Sequence, residues 1–302
     1  MKRRTFIKQT LAGSVILGSG ALGWQSCKTD PKQYHVTILH TNDVHSHIDP
    51  FPADHAQYAN MGGVARRASL IEQIRRENPN NLLLDAGDIF QGTPYFNFYG
   101  GELEFKLMSK LGYDVATLGN HDFDNGIEGF YAQLPHAKFP FVNANYDFSN
   151  TVLDGLVSPY KTFQRGAIKI GVFGLGIQLE GLVNSKHYKE TKYLDPVEIS
   201  QDMTRILREE EQCDLIICLS HLGYAYESDK VSDRTLAAQS RNIDLIIGGH
   251  THTFMEQPEI VKDLDGESVV INQAGCHGIL VGRVDFFFEQ GKKKTGAEVI
   301  YV

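Results

Sequence analysis

Asp114-Val115-Ala116-Thr117-Leu118-Gly119-Asn120-His121-Asp122-Phe123-Asp124 is the stretch on which the reading of this 302-residue chain turns. An apolar run stops at a glycine, and polar side chains follow where a strand would end. In open α/β sheets, ligands bind in the crevice beyond the carboxyl ends of the strands. Asn120 can offer a neutral amide oxygen to a cation. His121 can exchange a proton near neutral pH, and Asp124, three residues on, can orient its ring. A polar loop capping a helix that begins near Asn125-Gly126 explains the hexapeptide alone equally well. The recurrence of the same device at four other strand ends decides between the two.

Working outward, His35-Val36-Thr37-Ile38-Leu39-His40 is a β-branched run that spills into Thr41-Asn42-Asp43-Val44-His45-Ser46-His47. Asn81-Leu82-Leu83-Leu84 ends at Asp85-Ala86-Gly87-Asp88. Residues 213–219 end at Ser220-His221, and Ile243-Asp244-Leu245-Ile246-Ile247 ends at Gly248-Gly249-His250-Thr251-His252. Between them, Gly62-Gly63-Val64 opens a helical pattern through Leu70, Ile71 and Ile74 that Asn78-Pro79 stops. Residues 102–111 form a second helix, with Leu103, Leu107 and Leu111 on one face and Gly112 as its stop. Residues 139–145 read as a fourth strand and residues 162–175 as a hairpin turning at Arg165-Gly166. Residues 196 to about 212 read as a long helix with proline in its first turn, residues 232–241 as another, and residues 269–273 and 279–288 as closing strands. The alternation predicts mixed α/β structure with the chemistry at one edge.

The 42% hydrophobic content supports a sizeable core, and the net charge of −8 gives no electrostatic case for binding a nucleic-acid polymer. Residues 1–27 stand apart from the fold. Lys2-Arg3-Arg4-Thr5-Phe6-Ile7-Lys8 resembles a twin-arginine export signal, and the apolar stretch after it is too short and too glycine-rich to span a membrane. Cys27 resembles the acylated cysteine of a bacterial lipoprotein, although Trp24-Gln25-Ser26 departs from the usual small-residue lead-in. The expectation is an exported protein, periplasmic or lipid-anchored through Cys27, with one domain over residues 28–302. Cys213, Cys218 and Cys276 lack zinc-finger spacing and read as buried, unpaired thiols.

The metal-capable residues at the strand ends are Asp43 and His45, Asp88, Asn120 with His121, His221, and His250 with His252. One aspartate–histidine pair in a loop is commonly a turn and a surface imidazole; five such sites at strand termini are not. Imidazole and carboxylate without thiolate suit zinc, iron or manganese, and the number of ligands calls for two divalent ions. Two ions roughly 3.5–4 Å apart share a ligand and clamp a phosphoryl displacement. Asp88, with two oxygens after a glycine turn, is the natural bridge. His40, His47 and His277 read as hydrogen-bonded structural histidines, His35, His55, His136 and His187 as surface residues, and Arg66 and Arg67 as a helix face. Asn145, at another strand end, is a candidate phosphate contact.

These residues match a known pattern. Leu39-His40-Thr41-Asn42-Asp43-Val44-His45, Gly62-Gly63-Val64-Ala65-Arg66, Leu84-Asp85-Ala86-Gly87-Asp88 with Gln91-Gly92-Thr93-Pro94, Gly119-Asn120-His121-Asp122-Phe123-Asp124, Gly248-Gly249-His250-Thr251-His252 and Gln273-Ala274-Gly275 closely resemble the 5′-nucleotidase family of calcineurin-like metallophosphoesterases. The resemblance covers residues 34–288. It implies an α/β, four-layer α+β sandwich with two mixed β-sheets packed between helices. It also implies one metal held by Asp43, His45, Asp88 and His252, a second by Asp88, Asn120, His221 and His250, and a catalytic dyad of His121 and Asp124, with Asn120 and His121 touching substrate. Gln91 after Asp88 points away from the serine/threonine protein phosphatases, which would show Asp-Arg-Gly.

The implied activity is metal-dependent hydrolysis of phosphate monoesters, 5′-nucleotides first among them. The alternatives are phosphodiester cleavage of cyclic nucleotides or nucleotide-sugars, and a non-catalytic metal-binding subunit. Full-length members of the family continue into a C-terminal domain that grips the nucleotide. Here Gly291-Lys292-Lys293-Lys294 is where a linker would start, so a separate polypeptide supplying that domain is the expected partner.

Overall fold

The computed structural model describes residues 33–289 and 292–302, so the export signal expected over residues 1–27, with Cys27, lies outside the described residues. The order of elements is β1 (Gln33–Thr41), α1 (Val64–Glu77), β2 (Asn81–Asp85), α2 (Pro94–Tyr99), α3 (Glu102–Leu111), β3 (Val115–Ala116), α4 (Gly126–Gln133), β4 (Tyr146–Asp147), β5 (Tyr160–Arg165), β6 (Ile168–Leu175), α5 (Ser185–Tyr188) and β7 (Lys192–Tyr193). There follow α6 (Pro196–Arg205), β8 (Leu215–Ser220), α7 (Asp233–Gln239), β9 (Leu245–Gly248), β10 (Glu259–Lys262), β11 (Ser268–Asn272), β12 (Leu280–Glu289) and β13 (Lys292–Tyr301).

One sheet runs β13-β12-β1-β2-β3, the other β10-β11-β9-β8-β6-β5, and β4 pairs with β7 in a small ribbon. Both sheets are mixed: β1, β2 and β3 are parallel, as are β6, β8, β9 and β11, while β12 runs antiparallel to β1 and β13, β10 to β11 and β5 to β6. The alternation of side chains along each strand dictates the layers. Val36, Ile38, Leu82 and Leu84 from one sheet meet Ile170, Val172, Leu215, Ile217, Leu245 and Ile247 from the other in a single core. Their immediate neighbours point the opposite way. Leu39 and Leu83 pack under Ile71 and Ile74 of α1, Phe105 and Met108 of α3 and Phe130 of α4. Ile216, Cys218 and Ile246 pack under Met203 of α6 and Leu236 and Ala237 of α7. The result is helices, sheet, sheet, helices, the expected four layers. A one-residue slip in any central strand would exchange its two buried faces.

Local signals explain the helix ends. Asp195 caps α6 by accepting from Val197 and Glu198 N–H, with Pro196 in the first turn; Ser232 and Thr235 form a reciprocal cap on α7. Several expectations change in detail. The fourth strand over 139–145 is reduced to isolated bridges at Phe141 and Val142 plus β4. The long helix is α only to Arg205 and widens to a π turn over Ile206–Glu210. In α3 the buried stripe is Phe105, Met108 and Leu111, with Glu104 beside it, while Leu103 and Leu107 are half-buried. The segment read as a linker is instead β13, a full partner for β12, because Ile300 and Val302 pack onto the α1/α3 core.

The parallel register brings the catalytic-looking loops level. Thr41 pairs with Asp85 and Asp85 with Ala116; Leu175 pairs with Ser220 and Ser220 with Gly248. Every loop carrying a candidate ligand therefore leaves its sheet at the same edge.

Candidate metal centre

The loops after β1 and β2 are zipped together by their backbones: Asp43 N–H donates to Gly87 O (2.9 Å), His45 to Asp88 O (3.1 Å) and Ser46 to Ile89 O (2.9 Å). Residues of these loops and of the loop after β9 take unusual conformations. Asp43 (φ 48°), His45 (50°), Asp88 (55°), His250 (70°) and His252 (53°) all occupy the left-handed region. Non-glycine residues rarely do so, at a cost on the order of 1 kcal/mol or more each. Such strain in five of the seven candidate ligands marks the loops as shaped around a site. Gly119 is required where it stands, since a Cβ there would lie 2.2 Å from Asp88 Oδ1.

A buried carboxylate organises the Asp88 turn. Asp122 Oδ2 accepts from Gly119 N–H (2.8 Å) and Asp88 N–H (3.0 Å), and Oδ1 accepts from Ile89 N–H (3.0 Å) and Phe90 N–H (3.2 Å). The sequence reading missed this role, although the aspartate sits inside the quoted motif. Asn42 and Gln273 were missed likewise. Asn42 Nδ2 donates to Asp43 Oδ2 and Gly275 O, both at 2.6 Å, and Gln273 Nε2 donates to Gly249 O at 2.6 Å. Asn42 ties the loop after β1 to the loop after β11 in the other sheet, and Gln273 ties the loops after β11 and β9 within one sheet.

The seven candidates converge. Ligand atoms of Asp43, His45, Asp88 and His252 lie within 4.8 Å of one another, as do those of Asp88, His221 and His250, so Asp88 belongs to both groups. Asn120 joins the second group, with Oδ1 2.8 Å from His250 Nδ1. Asp43 and His221 are fully buried, and the His252 side chain is 40% exposed, which marks the open side.

The donor chemistry fits two cations. His45 Nδ1–H donates to Phe90 O (3.1 Å) and His221 Nδ1–H to Ala86 O (2.7 Å). Both bonds turn the lone pair of Nε2 inward, as a second-sphere carbonyl does for a ligating histidine. His45 Nε2 then faces His252 Nε2 at 3.0 Å, and His252 Nε2 stands 3.4 Å from Asp43 Oδ1. His221 Nε2 is buried without a hydrogen bond although Asp88 Oδ2 is 3.1 Å away. Imidazole nitrogens and carboxylate oxygens converging this closely suit a positive ion among them.

The electrostatics agree. Burial pulls His221 down, yet the Asp88 and Asp43 carboxylates more than offset it and hold the imidazole at about 10. The hydrogen bond to Asp43 does the same for His252, also to about 10. Burial raises Asp88, but His221, His45 and His121 hold its carboxyl well below the usual range. Positive charge is thus favoured on both sides of Asp88. His250 is pulled down to about 4 and His45 below its ordinary value, chiefly by burial, so both remain neutral donors near pH 7.

At the rim, His121 Nδ1–H donates to Asp124 Oδ2 (2.8 Å), and His121 backbone N–H donates to Asp88 Oδ1 (2.8 Å). The hydrogen bond to Asp124, more than burial, sets the imidazole and raises its pKa above the ordinary value.

Asn145 takes another role. Its Nδ2 donates to Gly176 O (2.9 Å) and its Oδ1 accepts from Gly176 N–H (2.7 Å), so a fully buried amide is committed to backbone and not to phosphate. Arg67 is buried rather than on a surface face, with its guanidinium toward Gly278 O. His35 is half-buried, stacked on Phe287 and bonded to Asp285 (2.7 Å). His40 is buried against Asn272 (3.1 Å), and His47 and His277 pack ring to ring at 4.1 Å beside His252. Among the described residues, Cys213, Cys218 and Cys276 are buried and unpaired. The 490 Å³ cleft lined by Arg208, Asp244, Asp263 and Lys293 lies at the opposite end of β9 and touches none of these ligands.

Among proteins of known sequence, the chain is 34% identical over 312 residues to 5′-nucleotidase of Homo sapiens, covering 92% of this chain and 50% of that protein. It is 34% identical over 287 residues to the trifunctional nucleotide phosphoesterase protein YfkN of Bacillus subtilis (strain 168), covering 84% of this chain and 18% of that one. The crystal structure of a 5′-nucleotidase precursor from Thermus thermophilus superposes with a TM-score of 0.81 at 33% identity, over 89% of this chain and 55% of that chain. The chain therefore spans about half the length of these relatives, or less. A profile of one family matches residues 36–254: the chain belongs to the calcineurin-like phosphoesterases.

Proposed function

We propose that this chain hydrolyses phosphate monoesters, 5′-nucleotides above all, at a two-metal centre. Asp43, His45, Asp88 and His252 hold one divalent ion, and Asp88, Asn120, His221 and His250 hold the other. The observation that carries this reading is the sharing of Asp88 by two convergent groups of ligand atoms. It is supported by the nucleotide-hydrolysing relatives named above. When bound, such a pair of ions supplies an acidified water as nucleophile and neutralises the phosphate oxygens.

The chain's own residues do the rest. His121, whose hold on a proton Asp124 strengthens and whose backbone is tied to Asp88, is the group that gives a proton to the leaving alkoxide in this reading. Asp124 fixes the tautomer by accepting from Nδ1, which leaves Nε2 for the substrate. Asn120 and His121 meet the phosphate at the exposed side.

Export by the twin-arginine route with lipidation at Cys27, and a second polypeptide completing the grip on the nucleotide, belong to the same proposal and rest on the sequence resemblance. Among the described residues no helix is long and apolar enough to cross a membrane. The test is a substrate panel on metal-loaded protein, with the hydrolysis of AMP, a 2′,3′-cyclic nucleotide and a nucleotide-sugar followed side by side. Preference for AMP supports the monoester reading. Cleavage of the cyclic ester alone would replace it with a phosphodiesterase.

A further inference from the structure

Between α1, α3 and the loop after β1 lies a cavity with about 20 Å³ open to the centre of a water molecule. Three buried polar side chains line it without satisfying one another. Glu104 of α3 is 5% exposed, and neither of its carboxylate oxygens has a hydrogen-bond partner. The Ser46 hydroxyl and Arg67 Nε of α1 are likewise buried without a partner. Among the described residues the Arg67 guanidinium makes one long hydrogen bond, Nη1 donating to Gly278 O at 3.5 Å. Burial pushes the Glu104 carboxyl up, and the neighbouring Ser46 hydroxyl opposes the shift.

Left bare, such groups are costly. A guanidinium keeps its charge in a protein, so Arg67 calls for an anion. Two acids line the cavity, Asp85 and Glu104. Asp85 is already engaged: its Oδ2 accepts from Thr41 Oγ1 (2.6 Å) and its Oδ1 from Gly87 N–H (3.0 Å). Glu104 is the acid with both oxygens unused, yet no hydrogen bond joins it to Arg67. A buried water needs about 10–15 Å³ of such room and two to four polar partners, and the cavity supplies both.

The cavity lies under the first group of metal ligands. Ser46 follows His45 in the chain, donates its N–H to Ile89 O (2.9 Å) and accepts at its own carbonyl from Thr93 Oγ1 (2.8 Å). Gly278 follows His277, whose N–H donates to Asp43 O (2.7 Å). A Cβ on Gly278 would collide with Arg67 Nη1, so the glycine makes room for the guanidinium. None of Asn120, His221 and His250 belongs to these segments.

We propose that ordered water in this cavity bridges Glu104 to Arg67 and to the Ser46 hydroxyl, and that this water-linked ion pair positions the loop carrying Asp43 and His45. Glu104 and Arg67 are then positioning residues for the first ion. The positioning rests on the two-metal reading; the ion pair does not.

The experiment compares Arg67→Met, Glu104→Leu and the double variant with the parent. Urea unfolding of metal-free protein reads the pair. Removing one partner strands the other charge, so each single variant should lose roughly 1 M or more from the midpoint, and the double variant should recover most of that loss. A single variant too unstable to fold beside a folded double variant upholds the pair equally. Losses that add in the double variant, or a Glu104→Leu midpoint at or above the parent's, would overturn it. A crystal structure of the parent should show a water within hydrogen-bond distance of a Glu104 oxygen, and a dry cavity would remove the bridge. Release of metal to a chelator, followed by elemental analysis, reads the positioning. Glu104→Leu should give up one ion roughly tenfold faster than the parent and the other at the parent's rate, whereas Glu104→Gln, which can still bond the water, should lie nearer the parent. Parent-like release of both ions from Glu104→Leu would reject the positioning. Coupling in the unfolding cycle from a parent that binds no metal would uphold the pair and reject the two-metal centre.

Discussion

Replacing Asp122 with asparagine removes one acceptor from the point where four backbone N–H groups meet. Each carboxylate oxygen takes two of them, from Gly119 and Asp88 on one side and from Ile89 and Phe90 on the other. An asparagine keeps one oxygen and turns an NH2 toward the other two donors, whichever way the amide is flipped. Two buried N–H groups then lose their partner, at about 1–3 kcal/mol each, or about 2–6 kcal/mol together. Burial and the nearby charge of Asp88 push the Asp122 carboxyl up to about 7, while the amides oppose the shift. Four groups that can only donate require the ionised form, because a protonated oxygen would aim its O–H at an N–H. Against a total stability of about 5–15 kcal/mol the loss is large. With an m-value of about 3 kcal/mol per M urea, the unfolding midpoint should fall by roughly 0.7–2 M. Asp154→Asn, at an exposed position, serves as the control and should shift stability by no more than about 0.5 kcal/mol. An Asp122→Asn protein as stable as the parent would refute the cradle.

His121→Ala should lower turnover of AMP by about 10²–10⁴-fold while metal content, read by elemental analysis, stays at the parent value; full activity in a metal-loaded variant would remove His121 from the mechanism. His40 gives a pH signature: burial pulls its pKa to about 4 against the hydrogen bond with Asn272, below its ordinary 6.5. The unfolded chain therefore binds the extra proton first, so this stabilisation is complete above pH 6.5 and is lost as pH falls toward 4, by on the order of 3 kcal/mol. Urea unfolding of His40→Gln across that range should show a shallower slope, and an identical slope would acquit His40.

The parts of the fold that could be read from sequence are those where an apolar run stops at once on glycine and polar residues. Thr41-Asn42-Asp43, Gly87-Asp88, Gly119-Asn120, Ser220-His221 and Gly248-Gly249-His250 all end strands or near-strands that leave their sheets at one edge. What was hidden is geometry that residue type does not encode. Nothing in the letters Asp43, His45 or His252 announces a left-handed backbone, because aspartate and histidine adopt it only when surrounding contacts impose it. Asp122 looks like one more polar loop residue until four amides are seen to point at it. Asn145 shows the converse: its position at a strand end suggests phosphate, while its amide is taken by Gly176. The α3 stripe is hard to read because Leu103 and Leu107 share a face with Leu111, whereas the bulkier Phe105 and Met108 fill the space under α4 and α1.

Elemental analysis of the parent chain beside Asp88→Asn probes the shared carboxylate most directly. The account predicts two divalent ions per parent chain and loss of both from the variant, since each group of ligands draws on Asp88. A parent that binds no more than one ion, or a variant that keeps two, would contradict it.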